Sequence, residues 1–178
     1  MNTGNLLAAA LAVCALSGTI LDTSPALADP AGDFLAQLGG SYRGRGMAKI
    51  LNRDKAEPVS CKVSNVYVAE KSELEVNGEC ASAQGKSKVN GSITHNGNSI
   101  SGALIASVDG STVTGSRGSL NGGELVINSN LVDNATGNLT RTRQVIRIDG
   151  GGFVAEFYSY DNKSAQYELN GTMRFSGS

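Results

Sequence analysis

Tryptophan is absent from the 178 residues, histidine occurs once, and proline and cysteine three times each. A single histidine, His95, cannot complete a zinc site alongside two cysteines. It also leaves a serine nucleophile without a placed base, since by parity His95 sits beside a turn, and it reads as a solvated turn residue. Five Tyr and four Phe are too few for the two aromatic girdles of an outer-membrane barrel. Only one apolar run is long, Leu6 to Leu16, and it is too short to cross a bilayer as a helix. No carboxylate pair falls on one predicted pocket face, so glycosidase chemistry has no support. The chain is expected not to be an enzyme.

The apolar run instead reads as a secretory leader, although no Lys or Arg precedes it. Ala26-Leu27-Ala28 is a small-x-small cleavage site, so residues 1–28 form the expected signal peptide and residues 29–178 one mature domain. Val13 before Cys14 disfavours lipidation there. The expected location is therefore periplasmic or secreted. Loss of Asp22 with the leader brings the 16 acids level with the 15 bases. That balance recruits neither nucleic acid nor an anionic membrane. No later stretch is membrane-spanning as a helix. In an oxidising compartment the remaining pair, Cys61 and Cys80, is expected to be bonded.

Beyond a possible helical turn or two at 33–38, the chain shows period-two patterning broken by Gly, Asn and Asp, and 23 of its residues are Gly. The predicted strands are 41–50, 57–68, 73–83, 87–95, 98–108, 111–119, 123–132, 139–148, 153–160 and 165–175. Joining Cys61 to Cys80 sets Val63 opposite Gly78, Asn65 opposite Val76 and Tyr67 opposite Leu74. Asn96-Gly97 predicts a tight hairpin that pairs Ile93 with Ile100 and Val89 with Leu104. Asp109-Gly110 predicts the next, pairing Ala106 with Val113 and Gly102 with Arg117. One apolar face runs through these turns. Successive short strands in meander order favour an all-β, antiparallel up-and-down barrel of about eight to ten strands with a short N-terminal helix, with a sandwich as the alternative. The other face carries Arg43, Arg45, Lys49, Glu73, Glu75, Arg141, Arg143 and Arg147, which suits an outer wall in water.

This register points Arg117 inward, across Gly91 and Gly102, where a guanidinium would hold an anionic ligand. Thr142 and Gln144 share the inner face with Ile146 and Ile148. The expected lumen includes Val63, Val76, Leu104, Val113, Ile127, Ile146, Phe153 and Phe157. Gly44 and Gly46 precede no helix and no Lys-Ser/Thr, so they are not a phosphate loop. They read as sites of close backbone approach.

Leu38-Gly39-Gly40-Ser41-Tyr42-Arg43-Gly44-Arg45-Gly46 resembles the opening of calycin-type barrels, where Gly-x-Trp follows a short helix and starts strand one. Tyr42 stands in the Trp position. In lipocalins an Arg of the last strand packs on that aromatic, so the resemblance implies this role for Arg174. The same run is similar to nitrobindin-type haem barrels. Those use a late-strand His, where this chain has residues such as Tyr167 and Met173, so no haem or other cofactor is expected. Gly-x-aromatic, Cys61-x-Val63 and Gly78-x-Cys80 also resemble bacterial periplasmic metalloprotease inhibitors of calycin type. That resemblance implies an extended arm, Asp29 to Phe34, entering a protease.

Together these readings give a lipocalin-like binding protein for a small apolar or amphiphilic ligand, an anion if Arg117 anchors it. Arg117, Tyr42, Tyr67, Leu104 and Phe157 are the candidate ligand contacts. The alternative is a protease inhibitor or protein-binding envelope module using the arm or the loops 52–57 and 133–138.

Overall fold

The computed structural model of the chain describes residues 29–49, 55–108 and 110–178. The expected leader, Cys14, residues 52–54 of the 52–57 loop and Asp109 lie outside them. Helix α1 (Pro30–Gln37) is followed by ten strands. They are β1 (Gly40–Ala48), β2 (Glu57–Val68), β3 (Glu73–Ser82), β4 (Gly85–Asn96), β5 (Ser99–Val108), β6 (Ser111–Asn121), β7 (Glu124–Asp133), β8 (Leu139–Asp149), β9 (Gly152–Asp161) and β10 (Gln166–Gly177). Each strand pairs antiparallel with its neighbours in sequence, and β1 with β10 closes the barrel. Closure leaves no free sheet edge. The architecture is compatible with a calycin-like fold.

Short turns fix the register, and the side-chain alternation then fixes the two faces. β2 and β3 pair as the cysteines require, with Cys61 opposite Cys80, Asn65 opposite Val76 and Tyr67 opposite Leu74. The disulfide joins them with Cα atoms 4.0 Å apart. At the β4–β5 hairpin the loop residues are Gly97 and Asn98, so Asn96 pairs with Ser99, His95 with Ile100 and Ile93 with Gly102. A Gly-x loop also satisfies a primed turn. The pairing therefore sits two residues from the Ile93–Ile100 expectation. Because a two-residue shift preserves parity, both isoleucines still face the core, 0% and 4% exposed.

The expected register of β6 holds at the turn, where Ser107 faces Thr112, but fails further along, where Ile100 faces Gly118. Against β7 the offset falls between Thr114 and Arg117, at Gly115, whose φ is +57°. This is a one-residue bulge in which glycine supplies the left-handed conformation. One extra residue exchanges the faces beyond it.

α1 starts at Asp29, whose side chain accepts from the Gly32 N–H at 3.0 Å, with Pro30 in the first turn. Eight residues are too few for an isolated helix. This one is held by burying Ala31, Phe34, Leu35 and then Leu38 across one end of the barrel. The expected extended arm at 29–34 is thus corrected: Pro30 to Phe34 lie within the helix, and Phe34 is buried. Gly44 and Gly46 do mark close approach. A Cβ at Gly44 would enter the Phe175 ring, and one at Gly46 would strike the Thr172 carbonyl.

Candidate ligand cavity

The two halves of the barrel interior differ. The half under α1 is solid. Leu74, Ile93, Leu125, Ile127, Ile146 and Phe153 are almost fully buried there. Tyr42 packs edge-on to Phe153, and Phe153 stacks on Phe175 with centroids 4.4 Å apart. The Tyr42 hydroxyl donates to the Gly39 carbonyl at 3.0 Å, and burial raises its pKa, so it stays a neutral donor. Asn65 Nδ2 donates to the Leu38 carbonyl at 2.9 Å. Both side chains thus satisfy carbonyls at the end of α1, which a buried helix terminus would otherwise leave unpaired.

His95 belongs to the same end and corrects the expectation of a solvated turn residue. Its side chain is only 4% exposed. Nε2 lies 2.9 Å from the Tyr67 hydroxyl, and Nδ1 lies 3.5 Å from Asp29 Oδ1. Burial first, then Asp29 and Asp33, raise the Tyr67 pKa. A protonated Tyr67 donates to Nε2, leaving an Nδ1 proton to face Asp29. The Tyr67–His95 hydrogen bond therefore ties β2 to β4 under the start of α1. The turn two residues further on carries His95 off the rim and under the helix.

Gln144 forms the boundary between the halves. Its Oε1 accepts from the Leu104 N–H at 3.0 Å and its Nε2 donates to the Ile105 carbonyl at 3.2 Å. Both partners belong to β5, where the pairing with β4 and β6 is irregular. An amide reaching through the interior supplies what the ladder lacks there.

Beyond Gln144 the barrel is hollow. A cavity of about 530 Å³ opens at the end opposite α1. Val59, Val89, Ile105, Val113, Leu131, Phe157, Met173 and the disulfide form its apolar wall, and Ser87, Ser111, Thr142 and Ser159 interleave with them. Lys49 and Asp133 stand at its rim, at strand ends. Arg143 also borders it but pairs with Tyr158 on the outward face, since Gln144 and Phe157 pair inward. A second depression, lined by Asp29, Glu70, Lys71 and His95 among others, lies outside the barrel beside α1.

Of the five candidate contacts, Phe157 lines the cavity. Tyr42, Tyr67 and Leu104 are in or beside the solid half. Arg117 is corrected: the Gly115 bulge turns it outward, opposite Asn128 and exposed, while Gly118 takes the inner position. Within the expected lumen, Val113 joins Phe157 at the cavity, whereas Val63, Val76, Ile127, Ile146 and Phe153 fill the core. Arg174 points outward to Asp149 and does not pack on Tyr42. Sequence reasoning missed Ser87, Ser111 and Ser159. The available signal was the run of small hydroxyl residues at inward positions near one set of strand ends.

Fold and site together define a closed ten-stranded meander barrel, stoppered by its N-terminal helix and open at the other end. Compared with known protein families the chain matches none, and it matches no curated protein.

Proposed function

We propose that the chain is an exported, lipocalin-like binding protein of the cell envelope, without enzymatic activity, that holds a small ligand in the open half of its barrel. The carrying observation is the cavity of about 530 Å³ in an otherwise close-packed interior. Small-molecule sites occupy roughly 300–1,000 Å³ and combine apolar walls with a few polar groups. The charged lining residues are confined to the rim or point outward. This suits a ligand with an uncharged body against Val89, Val113, Leu131 and Phe157, any charge lying at the mouth near Lys49. Arg117, exposed on the outer wall, takes no part in this site. The disulfide and the expected leader support export.

The test uses N-phenylnaphthylamine, whose fluorescence rises in apolar sites, together with native mass spectrometry of protein from its own host. Wild type should bind the dye. Val113→Trp, which fills the cavity from β6, should weaken binding at least about tenfold by overpacking the site while leaving the fold intact. Bare protein in the mass spectrum together with no dye binding would sink the reading.

A further inference from the structure

The outer wall of β6 to β10 separates its charges in a way the neutral composition conceals. Strand register places Arg117, Asn128, Arg143, Tyr158 and Leu169 in one outward row, one residue per strand. Four strand spacings make that row about 20 Å long. The row nearer the open end holds Asn130, Arg141, Tyr160 and Tyr167. The guanidinium of Arg141 lies 3.5 Å from the centroid of the Tyr160 ring, and that of Arg143 lies 4.0 Å from that of Tyr167. Leu169 is 55% exposed among them.

None of these three arginines has a carboxylate partner among the described residues. Elsewhere on the same wall Arg147 is paired with both Glu124 and Glu156, and Arg174 with Asp149. Of the nearest acids, Glu168 is exposed between Tyr167 and Leu169 but alternates to the other face of β10, opposite Ser159, and the rest are already committed. Asp133 and Asp161 accept backbone N–H groups within their own turns. Glu156 serves Arg147 and accepts from the Tyr158 hydroxyl. On the other side of the barrel two of the β3 acids have their own lysines, Glu75 with Lys71 and Glu79 with Lys86.

We propose that this wall docks on an anionic lipid surface, with the cavity mouth beside it. Three guanidinium groups without a carboxylate partner, one of which, Arg143, donates to Asn128 Oδ1 at 2.9 Å, supply attraction to phosphate headgroups. Three tyrosines and an exposed leucine supply the amphipathic and apolar contacts favoured at a membrane interface. The wall of a barrel is convex. It offers no groove to enclose a polymer, but it can rest on a plane. The proposal is independent of the ligand-carrying reading, because vesicle binding does not require an occupied cavity.

The experiment is co-sedimentation of the whole protein with phosphatidylcholine vesicles, with and without about one quarter phosphatidylglycerol. Wild type should bind only the anionic vesicles, and several-fold less as salt rises from ~0.05 to ~0.2 M. Each Arg→Gln change should weaken binding about fivefold, and the triple variant R117Q/R141Q/R143Q about a hundredfold. The triple Arg→Lys variant should retain most of the binding, which separates charge from stacking. Arg174→Gln, on the same wall but outside the patch, should behave as wild type. Equal binding to both vesicle types, or unchanged binding by the triple Gln variant with its circular dichroism intact, overturns the proposal. So does binding to soluble polyphosphate without binding to vesicles, which would identify a polyanion site instead.

Discussion

Replacing Gln144 with Leu tests the idea that one side chain completes the irregular part of β5. The substitution puts an apolar residue of similar size at a site that is only 5% exposed. It removes the acceptor of the Leu104 N–H and the donor to the Ile105 carbonyl. A buried donor left without a partner costs about 1–3 kcal/mol. The Ile105 carbonyl borders the cavity, where water can reach it, so its share falls near the bottom of that range. Removing the buried amide itself returns roughly 1 kcal/mol of desolvation. The net expectation is a loss of about 1–3 kcal/mol, read as a lower urea midpoint at unchanged slope. Gln144→Glu gives a second reading with a defined sign. A carboxylate accepts from Leu104 but cannot donate to Ile105, and burial raises its pKa above the unfolded value of about 4.3. A raised folded pKa means that stability is fully present below the unfolded value and is lost as pH rises through the folded one. Q144E should therefore approach wild type near pH 4 and fall away toward pH 7, each judged against wild type at the same pH. A Leu variant within 0.5 kcal/mol of wild type, or a Glu variant with no added pH dependence, would refute the bridging role.

Two further outcomes follow from the same geometry. Replacing Cys61 and Cys80 together with Ala should cost about 3 kcal/mol for a loop with a sequence separation of 19, and chemical reduction of wild type should reproduce most of that loss in urea melts. Hydrogen bonds from Arg147, then Tyr158, hold the Glu156 carboxyl below its usual range, so the stability it adds is present above the unfolded pKa and is lost as pH falls through the folded one; Glu156→Gln should cost about 1 kcal/mol at pH 7, and the gap from wild type should close on acidification toward pH 3, whereas a constant gap would show that the carboxylate charge contributes nothing.

The parts of this molecule that were legible in its sequence are those set by local chemistry. Turn residues delimited all ten strands to within a few positions, and the two cysteines set the β2–β3 register. The core faces of β4 and β5 survived a displaced turn because the error was an even number of residues. Arg117 shows the opposite case. One extra residue at Gly115 is invisible to a period-two count, although a glycine inside a strand is itself a bulge signal. His95 was misplaced by the same two-residue turn shift that spared the isoleucines, since at a rim two residues separate solvent from a helix cap. The position of the cavity was illegible for another reason. Parity gives the inward face but not the depth along the barrel, and only the helix at one end makes the two ends unequal.

That inequality bears on why the open end is hollow. A barrel of ten strands is wider than the eight-stranded type that side chains alone can fill. With no tryptophan and four phenylalanines, this chain has little bulk for the task. At one end the shortfall is met by Leu35 of α1 and by Leu38 just after it, both fully buried. At the other the cavity-lining positions include Ser87, Ser111, Thr142 and Ser159, where Ile, Leu or Phe would have closed the space. Apolar residues there would add roughly 1.5–3 kcal/mol for each side chain fully buried. A sequence that places hydroxyls at such positions forgoes stability its fold would accept, and departures of that kind concentrate where function requires them. The hydroxyl residues near the mouth thus support the proposed ligand beside the volume, because the polar side chains of the closed half, Asn65 and His95, are engaged by Leu38 and Tyr67, whereas these hydroxyls line open space.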